Sequence, residues 1–544
     1  MRKSASPPRR RKLNAWGFEG VSYSPPRPMR KWLEERIGPA ERRTTVDSAS
    51  IRVPDPAKLP DLPAPASSER ADRLSHARGR GFSDLVRLRT GTVPALPDAV
   101  VRPEDAADVE ETLKVCSRAG IRVIPWGGGT SVTGGVNTLP AAAPTVVLDL
   151  ERLSGLVEMD AKSGLARFRA GTPGPALEAA LAPHRVTLGH FPQSWELSTL
   201  GGWVATRSSG QESLGFGRIE DMVAGLELAA PGGRLSIPPR PASAAGPDLR
   251  QLVLGSEGRL GVITDVTVRV WPRPSRRAAE AFLLPSWDEG VEAVREMIRK
   301  GLPLHMIRLS DATETEVAMA VGIGGHVWAP IARGWLRFRG VRPNACLLLC
   351  GAAGSDRETR WALGEARRFL KERDAVSLGE GPGSRWLSDR FRHPYLRDSL
   401  FDNGFATDTL ETAAPWSALP GLYRSVRLAL ASTLPDEDVP VLCHISHVYR
   451  DGASLYFTFF FRLPEDPEEA IARWAALKRA ATSAIVEAGT LSHHHGIGSW
   501  HAPWYPREAG ATGVRVLTAA ARELDPQGIL NPHVLLDSAD RLEI

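Results

Sequence analysis

The sequence predicts an α+β protein of two or more domains, and three observations carry that expectation. The chain has 544 residues, more than a single hydrophobic core ordinarily accommodates. Short β-rich runs alternate with helix-patterned segments, and glycine-rich turns fall at the ends of several of those runs. Hydrophobic residues make up 42% and charged residues 24%, which are globular proportions and leave extensive disorder to the ends.

The first twelve residues, MRKSASPPRRRK, hold six Lys or Arg and no acid, so most of the net charge of +5 belongs to this tail. Such a tail attracts a nucleic acid or an anionic membrane surface, or is simply a solvated end; the sequence leaves both open. It lacks the apolar core of a secretory signal, and the chain has no run of about 18 apolar residues. Cys116, Cys346, Cys350 and Cys443 are too few for a disulfide scaffold and form no paired zinc motif. A reducing, cytoplasmic setting, bacterial in the style of its composition, is expected.

After "NAWGFEG" and the helical "MRKWLEERIG", the Pro-, Ala- and Ser-rich "LPDLPAPASSERA" reads as a connector, and a body begins near residue 93. "PEDAADVEETLKVCSRAG" has acids in front and glycine behind, a well-marked helix. "IRVIPW" is a strand, so "GGGTS" sits at its end. "TVVLDL", "GLARFRAG", "MVAGLELAAPGG" and "LGVITDVTVRVWP" continue the strands between helical pieces such as "PGPALEAALAPH". Past "WPRPSRRAAEAF", a second body holds the helix "WDEGVEAVREMIRKG", the strand "HMIRLSD", helices around 356 to 373, and the strands "VPVLCHISHVY" and "ASLYFTFFFRL" joined through the turn residues "RDG". The helix "DPEEAIARWAALKRAATSAIVEAG" then leads to "TLSHHHGIGSW".

Three Gly-rich segments, "PWGGGTSVTGG" (125–135), "QSWELSTLGGWVATRSSG" (193–210) and "LGSEGRLGVIT" (254–264), fall in one stretch. Glycines let backbone N–H groups turn toward one point, and Thr130 and Ser131 add hydroxyl donors, a nest suited to a pyrophosphate. Each segment alone is ordinarily a plain turn; their joint order and spacing is the specific signal. No GxGxxG follows a strand, so the usual dinucleotide fold is not indicated.

With "GGGTSV", "ELSTLGGWVATRSSG", "GRIEDMV", "LGSEGRLGVIT", "MIRLSD", "PYLRDSL", "LYFTFFF", "SHHHGIG" and "NAWG", the chain resembles the vanillyl-alcohol-oxidase-type flavoproteins. Within them it is most similar to the alkyldihydroxyacetonephosphate synthases, from roughly residue 14 to the end. The resemblance implies a two-domain FAD-binding fold of the vanillyl-alcohol-oxidase and p-cresol-methylhydroxylase type, with an α+β cap. Residues 1–92 would be an N-terminal tail, helical segment and linker, 93–271 the FAD-binding domain, 272–505 the cap, and 506–544 a segment returning to the flavin, with Asn531 to Leu536 near the site.

By the same resemblance FAD is held by Pro125, Trp126, Gly127, Gly128, Gly129, Thr130 and Ser131, and by Gln193, Ser194, Trp195, Glu196, Leu197, Ser198 and Thr199. Thr206, Arg207, Ser208 and Ser209 follow, then Gly255, Ser256, Glu257, Gly258, Arg259, Leu260 and Gly261. Relatives that attach flavin covalently use a His in the first loop; Thr130 stands there with no His, so FAD should be noncovalent.

The implied reaction exchanges the acyl group of acyl-dihydroxyacetone phosphate for a long-chain fatty alcohol, through a flavin N5 adduct and without net redox. A phosphate favours Arg over Lys for its fork of donors, and Arg397 matches the family's substrate-binding arginine, Arg308 a second one needed for activity. Outside these motifs a lone arginine is ordinarily a surface ion pair. Tyr456 matches the catalytic tyrosine, where a strand tyrosine is otherwise core filler. A free phenol titrates near about 10, so neighbouring imidazoles must lower or bypass it. His493, His494 and His495 are the suppliers. Consecutive extended residues point to opposite sides, so at most two of the three face one site; the expected pair is His494 and His495, with His493 behind.

Two rivals stay open at this point. FAD-dependent D-2-hydroxy-acid dehydrogenases carry a metal held by histidines and the glutamate of an "EHG"; here the triplet is "HHG", His494 replaces the glutamate, and no metal is implied, although His444 and His447 could still build a site with His494 or His495. A flavin-free lipid- or nucleic-acid-binding protein is the other; the intact loops argue against it, and no nucleic-acid partner is expected. Long-chain substrates imply an apolar tunnel and peripheral membrane contact. The terminal "RLEI" is not the usual peroxisomal tripeptide. A homodimer, the chain-length preference and the docking surface are left open.

Overall fold

The computed structural model describes residues 10–323, 329–537 and 539–542; most of the basic tail and the last two residues of "RLEI" lie outside the described residues. Three sheets organise the molecule. β1 (Ala66–Ser67), β2 (Ala99–Val101), β3 (Arg122–Trp126) and β4 (Thr145–Asp149) form a four-stranded sheet in the order β1-β2-β4-β3. β2 and β3 run parallel to β4. β5 (Leu156–Asp160), β6 (Leu165–Arg169), β7 (Val223–Ala230), β8 (Gly233–Ile237) and β9 (Val262–Arg269) form an antiparallel sheet in the order β5-β6-β9-β7-β8.

The third sheet belongs to the cap and has seven strands: β10 (Arg276–Leu284), β11 (Met306–Ser310), β12 (Cys346–Gly354), β13 (Val376–Gly379), β14 (Phe405–Pro415), β15 (Val441–Ile445) and β16 (Gly452–Arg462). Their order is β13-β10-β12-β11-β15-β16-β14, antiparallel throughout. In β16 the alternation of side chains sends Leu455, Phe457, Phe459 and Phe461 into the cap core and Tyr456, Thr458 and Phe460 to the opposite face. A one-residue slip would bury Tyr456 in hydrocarbon, so the apolar pattern itself sets the register that exposes the phenol.

Of the helices, α1 (Arg27–Ile37), α2 (Phe82–Thr90), α3 (Ala106–Ala119), α4 (Leu200–Thr206), α5 (Ala312–Ile323), α6 (Ala329–Phe338), α7 (His393–Asp402) and α8 (Pro467–Ile485) matter to the site. α3 shows how locally such elements are written. Asp105 caps it by accepting from the Asp108 N–H, Val109, Leu113 and Cys116 form the buried stripe, and Gly120 at φ 64 ends it. Among the described residues no helix is long and apolar enough to cross a membrane.

One stretch differs from the expectation of a linker up to residue 92. α2 is buried along nearly its whole length: Phe82, Leu85 and Val86 enter the cap core, where the Phe82 ring stacks on Trp474 at 5.7 Å. Arg87 and Arg89 leave that core to pair with Glu468 and Asp402 of the cap. These two arginines are thus neutralised by partners more than 300 positions away. The chain builds part of the cap after β1 and before it returns to that sheet at β2.

Candidate active site

A cavity of about 590 Å³ lies between the two smaller sheets and the cap sheet. One wall is the loop that follows β3. There Gly128 passes so close to the second Gly-rich segment that a Cβ would fall 2.1 Å from the Leu197 carbonyl oxygen, and Gly129 has φ +61. These positions keep backbone amides at the surface of a narrow slot. The buried Gln211 Oε1 on the same wall has no protein partner, which a polar ligand would have to satisfy. An extended cofactor carrying phosphate and polar ring edges fits such a wall.

The opposite wall is the cap sheet. His444 lies across from Tyr456, and Tyr456 across from Glu411. Directly opposed residues share a face, so Arg308 of β11, Leu442 and His444 of β15, Tyr456, Thr458 and Phe460 of β16, and Thr407 and Thr409 of β14 all line the cavity. His444 stacks on the Tyr456 ring with centroids 4.8 Å apart. Arg308 donates to Glu314 of α5 at 2.6 Å and reaches His444 Nδ1 at 3.1 Å, and Glu314 meets the same nitrogen at 3.0 Å. Burial alone would raise Glu314, but His444 and Arg308 outweigh it and bring its carboxyl down to about 2.

Residues 492–498 close the site as a loop without regular structure. The buried Glu411 carboxylate holds it from below, accepting from the N–H groups of His493 (2.5 Å), His494 (3.2 Å) and His495 (2.9 Å) and from the Ser492 hydroxyl (2.6 Å). Glu257 takes the next two donors, Ile497 N–H at 2.7 Å and Gly498 N–H at 2.8 Å. Arg218 donates to the His493 carbonyl at 2.7 Å. So held, His494 lies nearly parallel to the Tyr456 ring at 6.1 Å and His495 meets it edge-on at 5.6 Å.

Electrostatics sorts these groups. Burial lowers His494 to about 3, and moves His493, His495 and His447 below the ordinary imidazole value, so they are neutral at physiological pH. Burial would raise Glu411; the Ser492 hydroxyl and the loop N–H groups that donate to it keep the carboxylate below its ordinary range. Glu257, with fewer donors, is pushed up to about 7 by burial. Tyr456 is also pushed up, to about 12, by burial. The imidazoles therefore do not lower the phenol; they stand beside it as neutral rings.

Two family models match: the FAD binding domain over residues 97–236 and the C-terminal domain of FAD-linked oxidases over 273–535. The alkyldihydroxyacetonephosphate synthase of Dictyostelium discoideum is 31% identical over 486 residues, 87% of this chain and 79% of that protein. The chain belongs to the alkyldihydroxyacetonephosphate synthase family. A solved alkyldihydroxyacetonephosphate synthase structure, 27% identical, superposes with a TM-score of 0.82 over 96% of this chain and 98% of that one. A p-cresol methylhydroxylase structure, 13% identical, shares the fold alone, with a TM-score of 0.63 over 87% of this chain and 93% of its own. The fold is thus the two-domain vanillyl-alcohol-oxidase type, and the cofactor is FAD.

Of the residues that the family resemblance singled out, the cavity gathers Pro125 to Ser131, Gln193, Ser194, Ser198, Thr199, Thr206, Ser208, Ser209, Glu257, Gly258 and Gly261 on the flavin side. Arg308, Arg397, Tyr456, His494 and His495 line it from the cap and its loop. The rest support it from behind. Trp195 stacks on Phe391 of the cap, Glu196 accepts from Tyr395, and Leu197 packs with Trp16. Arg207, at φ 51, ends α4 and binds the Leu254 carbonyl beside Gly255. Arg259 binds Asp525 and the Leu530 carbonyl; Ser256 and Leu260 are buried beneath. His493 turns away to Tyr449, whose hydroxyl lies 2.5 Å from its Nε2.

Asn531 ties the C-terminal segment to the site by donating to the Gly135 and Glu257 carbonyls at 2.9 and 2.8 Å. Glu411, Glu314 and Glu257's hold on the loop carry much of the geometry, yet nothing in the reading of single motifs assigned them these roles. The signal for Glu411 is an acid inside "FATDTLETAAP", a strand otherwise patterned for burial.

The neutral histidines make a pH dependence that the molecule must show. Unfolded imidazoles gain a proton below about 6.5, whereas the buried ones resist it, so folding stability should fall as pH drops through that value. Glu257, raised, acts in the opposite direction over the same window, but four histidines stand against it. The melting temperature of FAD-loaded protein is expected to fall between pH about 7 and about 5, and the fall to shrink in His494→Gln; a rise on acidification contradicts this electrostatic picture.

Proposed function

We propose that this protein forms the ether bond of ether lipids, replacing the acyl chain of acyl-dihydroxyacetone phosphate by a long-chain fatty alcohol with no net redox change. The observation that carries the reading is the lining of one cavity. Besides the flavin wall it is lined by Met29, Val317, Leu400, Leu442 and Phe460, which belong to one apolar cluster, and by Arg397, Tyr456 and the histidines. An aliphatic chain suits the apolar lining, and a phosphate fits Arg397, whose buried Nε has no hydrogen-bond partner.

Tyr456 and the neutral imidazoles handle protons on the bound substrate. A phenol near about 12 is a poor free base at neutral pH, so substrate deprotonation is coupled to passage of the phenolic proton to a neighbouring imidazole. The same histidines return a proton when the fatty acid leaves and take one from the entering alcohol. Arg308, fixed by Glu314, presents a positive charge beside His444 and favours developing negative charge on the substrate oxygens. FAD would be held by Pro125 to Ser131 and the neighbouring glycine loops, noncovalently with Thr130 where a linking histidine would stand, and would supply an electrophilic ring for the substrate carbon.

Incubation of FAD-loaded enzyme with palmitoyl-dihydroxyacetone phosphate and labelled hexadecanol should give labelled alkyl product. Tyr456→Phe is expected to lower its rate by at least about 100-fold with FAD still bound; loss of flavin in that variant would point to a structural tyrosine. His447, His493 and His494 offer nitrogens within 4.8 Å of one another, so the metal-assisted rival has a definite address. Stoichiometric zinc or manganese, with D-lactate oxidation and no alkyl product, would replace the synthase reading.

A peripheral position on a membrane completes the proposal. α5 carries Val317 and Val321 on the cavity wall, and the following α6 turns Ile331, Trp335 and Phe338 to solvent, with Arg339 over the Trp335 ring. An apolar helix face beside a cation suits an anionic bilayer surface. Ile331→Asp with Phe338→Asp should cut co-sedimentation with anionic phospholipid vesicles about tenfold, without affecting turnover of detergent-dispersed substrate; unchanged sedimentation places the docking surface elsewhere.

A further inference from the structure

The N-terminal "NAWG" belongs to the family pattern but has no part in the chemistry above. In the structure the segment around it runs from the flavin loops to the cap. Arg11 donates to the Gly128 carbonyl at 2.7 Å and the Leu197 carbonyl at 3.3 Å, joining the two loops that form the cofactor slot. The Lys12 carbonyl accepts from buried Arg80 at 3.2 Å, and the Arg80 backbone N–H donates to Ser131 at 2.7 Å. Four residues on, the Trp16 N–H donates to the Asp398 carboxylate at 2.7 Å. Gly17, at φ +84, lies so close under Tyr395 that a Cβ would stand 2.2 Å from a ring carbon.

Tyr395 and Asp398 flank Arg397 on α7. On the face of that helix that carries Arg397, Leu400 and Phe401 pack into separate apolar clusters. The face that carries Tyr395 and Asp398 is held by the strap, with the Trp16 ring packed with Leu197 of the flavin loop and Tyr395. A long side chain with an unpartnered Nε takes its position from the backbone that carries it. We propose that residues 11–17 are a positioning strap that sets Arg397 against the flavin loops, with Arg11 as one anchor and Gly17 as the other. This rests on the reading of Arg397 as the phosphate-binding residue.

The anchors are separated in the chain and act at opposite ends, so coupling between them is the signature. In FAD-loaded enzyme, Arg11→Met and Gly17→Ala are each expected to raise KM for palmitoyl-dihydroxyacetone phosphate about tenfold, with kcat and the hexadecanol KM within about twofold, and the double variant to be no worse than the worse single. Arg11→Lys should recover part of the effect. Hydrogen exchange of the α7 amides should quicken in both variants while α8 stays unchanged. Exchange is measured without substrate, so a wild type that makes no alkyl product would fail the functional reading and still leave the strap decided. Additive effects, unchanged α7 exchange, or loss of flavin or fold in the single variants would overturn the positioning role.

Discussion

The rest of the site depends on one buried carboxylate. Residues 492–498 present consecutive backbone N–H groups that neither a helix nor a sheet can satisfy, and Glu411 accepts three of them together with the Ser492 hydroxyl. Each hydrogen bond to a charged group is worth about 1.5–3 kcal/mol net, while an ionised carboxylate buried without them costs several. Loop and carboxylate therefore stabilise each other and neither is tolerable alone. Glu257 repeats the device at the Ile497–Gly498 end, and the close approach there, where a Cβ on Gly498 would lie 1.9 Å from the Thr133 carbonyl oxygen, explains why a glycine follows the histidines.

Strand register converts that clamp into chemistry. Glu411 lies opposite Tyr456 and Tyr456 opposite His444, so the group that fixes the histidines, the phenol they serve and the ring stacked behind it share one rung of the cap sheet. Burial lowers the imidazoles and raises the phenol, so that at neutral pH these rings face one another uncharged. The flavin side supplies the slot, and Asn531 and the strap at Arg11 tie both ends of the chain to it.

What could be read from the sequence was what is encoded locally. Capping residues and apolar spacing marked α3, and glycines at the end of β3 marked the slot. In the structure His494 and His495 line the cavity while His493 meets Tyr449; strict alternation would have put His493 and His495 on one side, but the loop that carries them is not extended. Long-range pairings were not legible. α2 looks like charged linker until Glu468 and Asp402 meet Arg87 and Arg89, and Glu411 is an ordinary strand acid until a loop more than 80 residues later is laid over it. Motifs name the groups that react; the groups that hold them are chosen by topology, which a single sequence does not display.

The most direct test of this account is the alkyl-transfer kcat of Glu411→Gln, measured with FAD occupancy. The amide turns an N–H donor toward the loop's own donors, so the histidines should lose their station over Tyr456 while the distant cofactor slot survives. A fall of about 100-fold with flavin retained is the predicted result. A wild-type rate in that variant would show that the carboxylate is incidental and that something else holds the loop.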